Sequence, residues 1–234
     1  MRDLKTYIKK NINEGFKLGK NKVKKEKDFV DLGLPSRTLW ATSNVGALCG
    51  STAESWYGDY FMWGDPESVT NKMCNWENYK WCTGDGNKLI KYCTSNKTNY
   101  WDGNGNPDNK LVLDEEDDMA TFNIDYNWKM PTKIQIDELI DRTTNKWVTD
   151  YQDISGLNGI LFTSKSNDNI LFIPAAGFKI YTSFKFIGAQ VRIWSSSLCV
   201  HTTTDANYLY CSSSLASVSN CYRYFGFSIR GVMN

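Results

Sequence analysis

Lys, Glu, Gln, Met and Trp are all missing from residues 195 to 232, a run of 38 positions, although these five types supply 47 of the 234 residues of the chain. At an overall frequency of about one in five, such a gap arises by chance only about twice in ten thousand placements. Other absences narrow the chemistry. There is one histidine, His201, so a Ser-His-Asp triad would have to use it, with Asp205 for example. No two of the seven cysteines are spaced C-x-x-C, and no set of His and Cys has zinc-ligand spacing. No apolar run is long enough to span a bilayer; the best, near 170–176, has strand length. A net charge of +1, with Lys concentrated only at the N-terminus, gives no basic face for nucleic acid.

What is present suits one folded domain. Hydrophobic residues make up 41%, with 9 Trp, 13 Tyr and 11 Phe. Residues 1–27 stand apart: Leu4, Ile8, Ile12 and Phe16 recur every four positions among lysines, the pattern of a basic amphipathic helix. That stripe needs a partner, either the following domain, a second copy or a docking surface such as a virion; the plain alternative is a solvated leader. It lacks a continuous apolar segment and is not expected to be a secretory signal, so the cysteines are expected to be mostly free, with a Cys82–Cys93 pairing left open.

From residue 28 to 234 the pattern is α+β. FVDLGL, TLWAT, YFMW, ILFTSK, NILFIPAAGF and VRIWSSS read as strands. Two helices are expected. One is DEEDDMATFNI, with acidic residues 114–118 at its positive end; the other is PTKIQIDELIDRTT, with Thr132 and Gln135 as a capping box and Ile136, Leu139 and Ile140 inward. Residues 64–110 read as loops and short hairpins rather than a second core. Within them Asp102, Asn104 and Asn106 begin like an EF-hand loop, but Pro107 replaces its Gly and Leu113 its bidentate Glu. The triplet Asn106-Pro107-Asp108 is not the EPN or QPD of calcium-dependent sugar sites. Neither a metal nor a cofactor is expected.

Seven phrases, in order, carry a resemblance: FVDLGL with LWATSNVGA; YGDYFMWGD; YKWC with KYCT; LDEEDDMATFNIDYNWKMPTKIQIDELI; LFIPAAGF; IWSSS; and RYFGFSIRGV. Together they resemble the paralogous C-type lectin-fold domain abundant in gut Bacteroidetes and their phages, over residues 29 to 232. One departure is Gly231, where the family pattern has Pro after the Arg. The resemblance implies the formylglycine-generating-enzyme-like branch of that fold, in which a terminal region of strands and long loops displays a binding surface. It also implies a variable protein of a diversity-generating retroelement. In such systems template Asn codons of the AAY type become NNY, and NNY codons never encode Lys, Glu, Gln, Met or Trp. The five missing types are the five forbidden ones. A bias of Ser- and Tyr-rich strands against Lys and Glu would thin those types too, but it does not remove Trp, which strands favour.

On this reading the chain is a non-enzymatic binder of a protein or cell-surface ligand, on a phage virion or alternatively a bacterial cell surface. Its variable region is about 195–232. Residues expected to face ligand are Cys199, His201, Thr203, Asp205, Tyr208, Tyr210, Ala216, Ser219, Asn220, Cys221, Tyr222 and Phe225, with Tyr208, Tyr210 and Tyr222 as anchors. Strand alternation puts Val200, Ala206, Leu209 and Val218 inward. Trp194, Arg223, Gly226 and Arg230 read as framework: a core aromatic, a buried ion-pair member, a turn glycine and a second buried cation. Two other readings are a constant structural or adhesion module, and an enzyme of the formylglycine-generating type, whose cysteine pair has no local counterpart here.

Overall fold

Strand β9 (Asp205–Cys211) pairs antiparallel with β8 (Val191–Leu198) on one side and β10 (Ala216–Tyr222) on the other, and both faces of this sheet are covered. Side chains alternate across a strand. Ala206 and Tyr208 therefore enter one core with Trp194, Phe178 and Phe227, while Leu209 and Cys211 enter another with Val191, Ile193, Ile136 and Leu139. The computed structural model describes residues 28–69 and 71–234; the leader helix expected over 1–27 lies outside the described residues.

Around this sheet sit β1 (Phe29–Asp31), β2 (Leu39–Ala41) and the terminal β11 (Val232–Met233) as a second sheet of order β1-β2-β11. A third is β3 (Thr143–Val148), β4 (Gly159–Ser164) and β5 (Ile170–Pro174). A hairpin joins β6 (Phe178–Ile180) to β7 (Ser183–Lys185). All these named pairings are antiparallel, and with three short helices among the described residues the class is α+β. Pairing of Val30 with Trp40 and of Trp40 with Val232 ties the first described strand to the last.

The helices follow local chemistry. Helix α1 (Glu54–Tyr57) is one turn that no periodicity announced. The acidic segment divides into a 3-10 turn, Glu115–Asp117, and α2 (Met119–Asn123), because Asp118 caps the second piece. Its Oδ1 accepts from the N–H groups of Ala120 and Thr121 at 2.9 and 3.0 Å, and its Oδ2 from that of Met130 at 2.8 Å. In α3 (Lys133–Arg142) the capping box is formed: Gln135 N–H donates to Thr132 Oγ1 at 3.2 Å and Thr132 N–H to Gln135 Oε1 at 2.9 Å. Ile136 and Leu139 are buried on it. The helix stops at Arg142 rather than running through the threonines. Thr143 and Thr144, β-branched, open β3 instead, and the Thr143 hydroxyl donates to Leu139 O at 2.6 Å.

Residues 64–69 and 71–110 form turns, the 3-10 segments Trp76–Asn78 and Ser95–Tyr100, and isolated bridges. They have no core of their own: Tyr92 joins the Trp194 core, and Tyr79 a third cluster with Tyr60, Met62 and Phe172. Indole and phenol donors pin them, Trp81 Nε1 to Gly64 O at 2.7 Å and Tyr79 hydroxyl to Trp63 O at 2.8 Å.

The framework residues refine the sequence reading. Trp194 is fully buried, stacks on Phe227 at 4.1 Å and donates Nε1–H to Phe61 O at 2.9 Å. Arg230 is buried and donates to the carbonyls of Ala41 and Phe172 at 3.0 and 3.1 Å; burial lowers its pKa to about 9, leaving it charged at neutral pH. Arg223 is buried without the expected ion pair. Its Nη1 reaches the carbonyls of Lys91 and Tyr92, at 3.3 and 3.4 Å, and its guanidinium lies over the rings of Trp63 and Tyr79. Gly226 is not a turn glycine. It bridges Lys179, and an added Cβ would lie 3.0 Å from Val69 Cγ2 and 3.1 Å from Lys179 Cβ.

Trp194→Ala is expected to cost about 3–5 kcal/mol through its cavity, and Trp194→Phe about 1 kcal/mol by removing one of the two hydrogen bonds that the Phe61 carbonyl accepts, the other coming from the Phe227 N–H at 3.1 Å. Urea denaturation measures both. Wild-type stability in Trp194→Phe would show that the indole hydrogen bond supports nothing.

Candidate functional site: a cleft at the end of the β9–β10 ladder

Asp205 and Tyr222 face each other at the last pair of the β9–β10 ladder, and there the sheet opens into a cleft of about 570 Å³. Residues 195–232 supply Thr202, Thr204, Asp205, Asn220, Cys221, Tyr222 and Phe225 to its lining. Trp76, Asn87 and Tyr100, from the 64–110 region, complete it. The turn 199–204 is held by main-chain bonds from Cys199 N–H to Asp205 O at 3.0 Å and from Asp205 N–H to Thr202 O at 2.9 Å. It is tied to the 64–110 region by Thr203 Oγ1 donating to Tyr92 O at 3.3 Å. The wall from 64–110 and the wall from 195–232 are thus joined through a backbone acceptor.

An aromatic cluster floors the cleft. Trp76 meets Tyr222 edge-on at 5.9 Å and Tyr224 at 4.9 Å; Tyr222 stacks on Tyr224 at 5.7 Å; Phe225 stacks on Phe178 at 5.6 Å. Tyr222 keeps 47% of its surface exposed, so its ring is available. Asp205 is half-buried. Its Oδ1 accepts from Thr204 Oγ1 at 2.9 Å, and burial raises its pKa against the opposing Thr204 hydrogen bond and the Arg223 charge. Burial also pushes the Cys221 thiol up to about 12, so it holds its proton at neutral pH and is a poor nucleophile.

Of the residues expected to face ligand, Asp205, Asn220, Cys221, Tyr222 and Phe225 come together here. His201 is exposed, outside the cleft lining, and bonds to neither Asp205 nor a serine. Tyr210 and Ser219 are half-buried along the sheet, where Tyr210 lies 5.8 Å from the Arg192 guanidinium. Four expectations of exposure are corrected. Tyr208 is only 5% exposed, because its face of β9 is roofed by Trp194 and Phe227, at 5.9 and 4.8 Å. Cys199 and Thr203 are buried as well, and Ala216 packs inward with Val218. Among residues expected inward, Ala206 and Leu209 are buried, Val218 is half-buried against the core and Val200 is 51% exposed. The cause is a bulge: Trp194 pairs with Tyr208 but Leu198 with Ala206, so alternation cannot be carried past it. Ser195 and Asn207 stitch this bulge, through Ser195 Oγ to Asn207 O at 2.7 Å and Asn207 Nδ2 to Leu198 O at 2.9 Å. Thr202, Thr204 and the three cleft residues from 64–110 were not singled out by sequence, and long-range proximity left no local signal for Trp76, Asn87 or Tyr100.

Elsewhere, Asp114, Glu116 and Asp117 converge as metal ligands might, but the Lys91 ammonium sits among them at 2.7, 3.5 and 2.5 Å. Lys80 and the Tyr92 hydroxyl also reach Asp117. These carboxylates serve an ion-pair network. A smaller cavity of about 290 Å³ beside α3 is lined by groups already paired, such as Glu115 with Lys129 and Gln135 with Thr132. All seven cysteines are free thiols. No helix among the described residues is long and apolar enough to cross a membrane.

Compared with known proteins, the chain matches no family model, no curated protein and no solved structure.

A carboxyl group whose pKa is higher folded than unfolded costs stability above the folded value, and that cost vanishes below the unfolded value. Asp205→Asn, which keeps the acceptor for Thr204, is therefore expected to melt at the same or a higher temperature than wild type at pH 7, with the difference closing near pH 3. Calorimetry at both pH values decides; a lower melting temperature at pH 7 alone would contradict the burial argument.

Proposed function

We propose that the chain is a ligand-recognition protein whose C-terminal surface is diversified on a constant scaffold, as the variable protein of a diversity-generating retroelement. The observation that carries this reading is the coincidence of two independent features. The stretch that lacks the five residue types NNY codons cannot encode is also the stretch that builds β9, β10 and most of the cleft between them. The scaffold is read as the formylglycine-generating-enzyme-like branch of the C-type lectin fold, supported by the phrase resemblance and by a terminal region of strands and loops that carries the cleft.

The chemistry of the cleft favours binding over turnover. It offers aromatic faces, small hydroxyls and amides, the composition of combining sites that recognise by contact area and adaptable hydrogen bonds. Its one thiol is protonated, which weighs against the enzyme reading. Main-chain ladders and buried framework side chains hold the cleft, so exposed side chains can change without loss of the fold. The ligand on this reading is a protein or cell-surface molecule, met from a phage virion or alternatively from a bacterial surface. A constant structural or adhesion module is the second reading.

Two measurements test it. DNA flanking the gene is expected to hold a reverse-transcriptase gene and a near-duplicate of the 3′ coding segment that differs at adenines; their absence would favour the constant module. In the protein, changing Tyr222 to Ser, Asn, His or Asp is expected to cost under about 1 kcal/mol, whereas Tyr208→Ser is expected to cost about 3 kcal/mol or more as a core truncation. A melting series in which Tyr222 changes cost as much as Tyr208→Ser would sink the tolerant-surface idea.

A further inference from the structure

Asp205 is a carboxylate without a cation. Among the buried carboxylates, Asp117 takes Lys91 and Lys80, Asp118 takes three backbone N–H groups, and Asp65, which also has no ion pair, accepts the Glu67 N–H and lies outside the cleft lining. Asp205 has the Thr204 hydroxyl, and no Lys or Arg nitrogen within ion-pair distance among the described residues. The nearest buried cation, Arg223, acts on it only at longer range and spends its Nη1 on the Lys91 and Tyr92 carbonyls. A half-desolvated carboxylate beside aromatic rings that are exposed or half-buried attracts an organic cation twice, by charge and by the ring quadrupole. Trp76 and Tyr222 supply those faces at the same cleft, and Asn87 and Asn220 supply amide acceptors at its rim.

The geometry points to a seat for a cationic side chain, Arg or Lys, of a protein ligand: its charged head against the Asp205 carboxylate and its stem or guanidinium plane against Trp76 and Tyr222. This rests on the recognition reading above and sharpens it. Asp205 and Tyr222 lie in the diversified stretch, so the preference for a cation belongs to this particular sequence variant. Trp76, Asn87 and Tyr100 lie outside that stretch, so an aromatic wall persists whatever the diversified positions become.

The test uses the full chain, labelled with nitrogen-15, and two capped amino acids of nearly the same shape, N-acetyl-arginine amide and its neutral isostere N-acetyl-citrulline amide. The arginine probe is expected to shift the Trp76 indole N–H signal saturably and to bind at least about tenfold more tightly than the citrulline probe. Asp205→Asn is expected to remove that difference. Equal binding of the two probes, no saturable shift with either, or an undiminished preference in Asp205→Asn would overturn the proposal. The probe comparison needs only the unaltered protein, so it stands even if the variant folds poorly. It also separates the two readings: equal probe binding removes the cation seat while Tyr222 tolerance still supports a diversified surface, and intolerance at Tyr222 removes that surface while probe discrimination still supports the seat.

Discussion

Main-chain pairing of β9 with β8 and β10, sealed by rings on one face and aliphatic side chains on the other, is the constraint from which the rest of this molecule follows. A central strand covered on both faces has no side chains to spare for a ligand along most of its length. Accessible side chains are pushed to where covering stops, at the strand end with Asp205 and Tyr222 and in the turn leading to it. The aromatic packing of Trp194, Tyr208 and Phe227 therefore does more than fill a core. It determines how little of the segment faces solvent, and so the size of the site.

The buried cations obey a related rule. Arg230 and Arg223 are neutralised by carbonyl dipoles and rings rather than by carboxylates. A carboxylate partner would need its own desolvation to be offset; Arg230 instead fastens Ala41 to Phe172, and Arg223 fastens its own turn to the Lys91–Tyr92 backbone. The formal ion pairs gather elsewhere, around Lys91 and the Asp114–Asp117 turn, where they brace the irregular 64–110 region.

What sequence reveals about this chain depends on the range of the physics involved. The capping box at Thr132 and Gln135, the inward face of α3 and the apolar strands β4, β5 and β8 are local patterns, and they were legible. The end of α3 at Arg142 and the one-turn helix at Glu54 depend on tertiary packing and were not. Among the proposed ligand-facing residues at the ladder end, Asn220 and Tyr222 are exposed and Asp205 is half-buried in the cleft wall. Tyr208, Cys199 and Thr203 were misjudged, because the alternation argument presumed one uncovered sheet face and no bulge. The wall from 64–110 was invisible to sequence, since nothing in Trp76 or Tyr100 announces a neighbour more than a hundred residues away.

That wall has a consequence for inheritance. On the proposed diversification, a lineage that reshuffles Asp205, Asn220 and Tyr222 keeps the same indole and phenol on the opposite bank, so each new version starts with a generic, sticky half-site rather than bare ground. Novel partners would then be sampled from molecules that already tolerate flat rings, which narrows the search and raises the share of descendants that hold on to something.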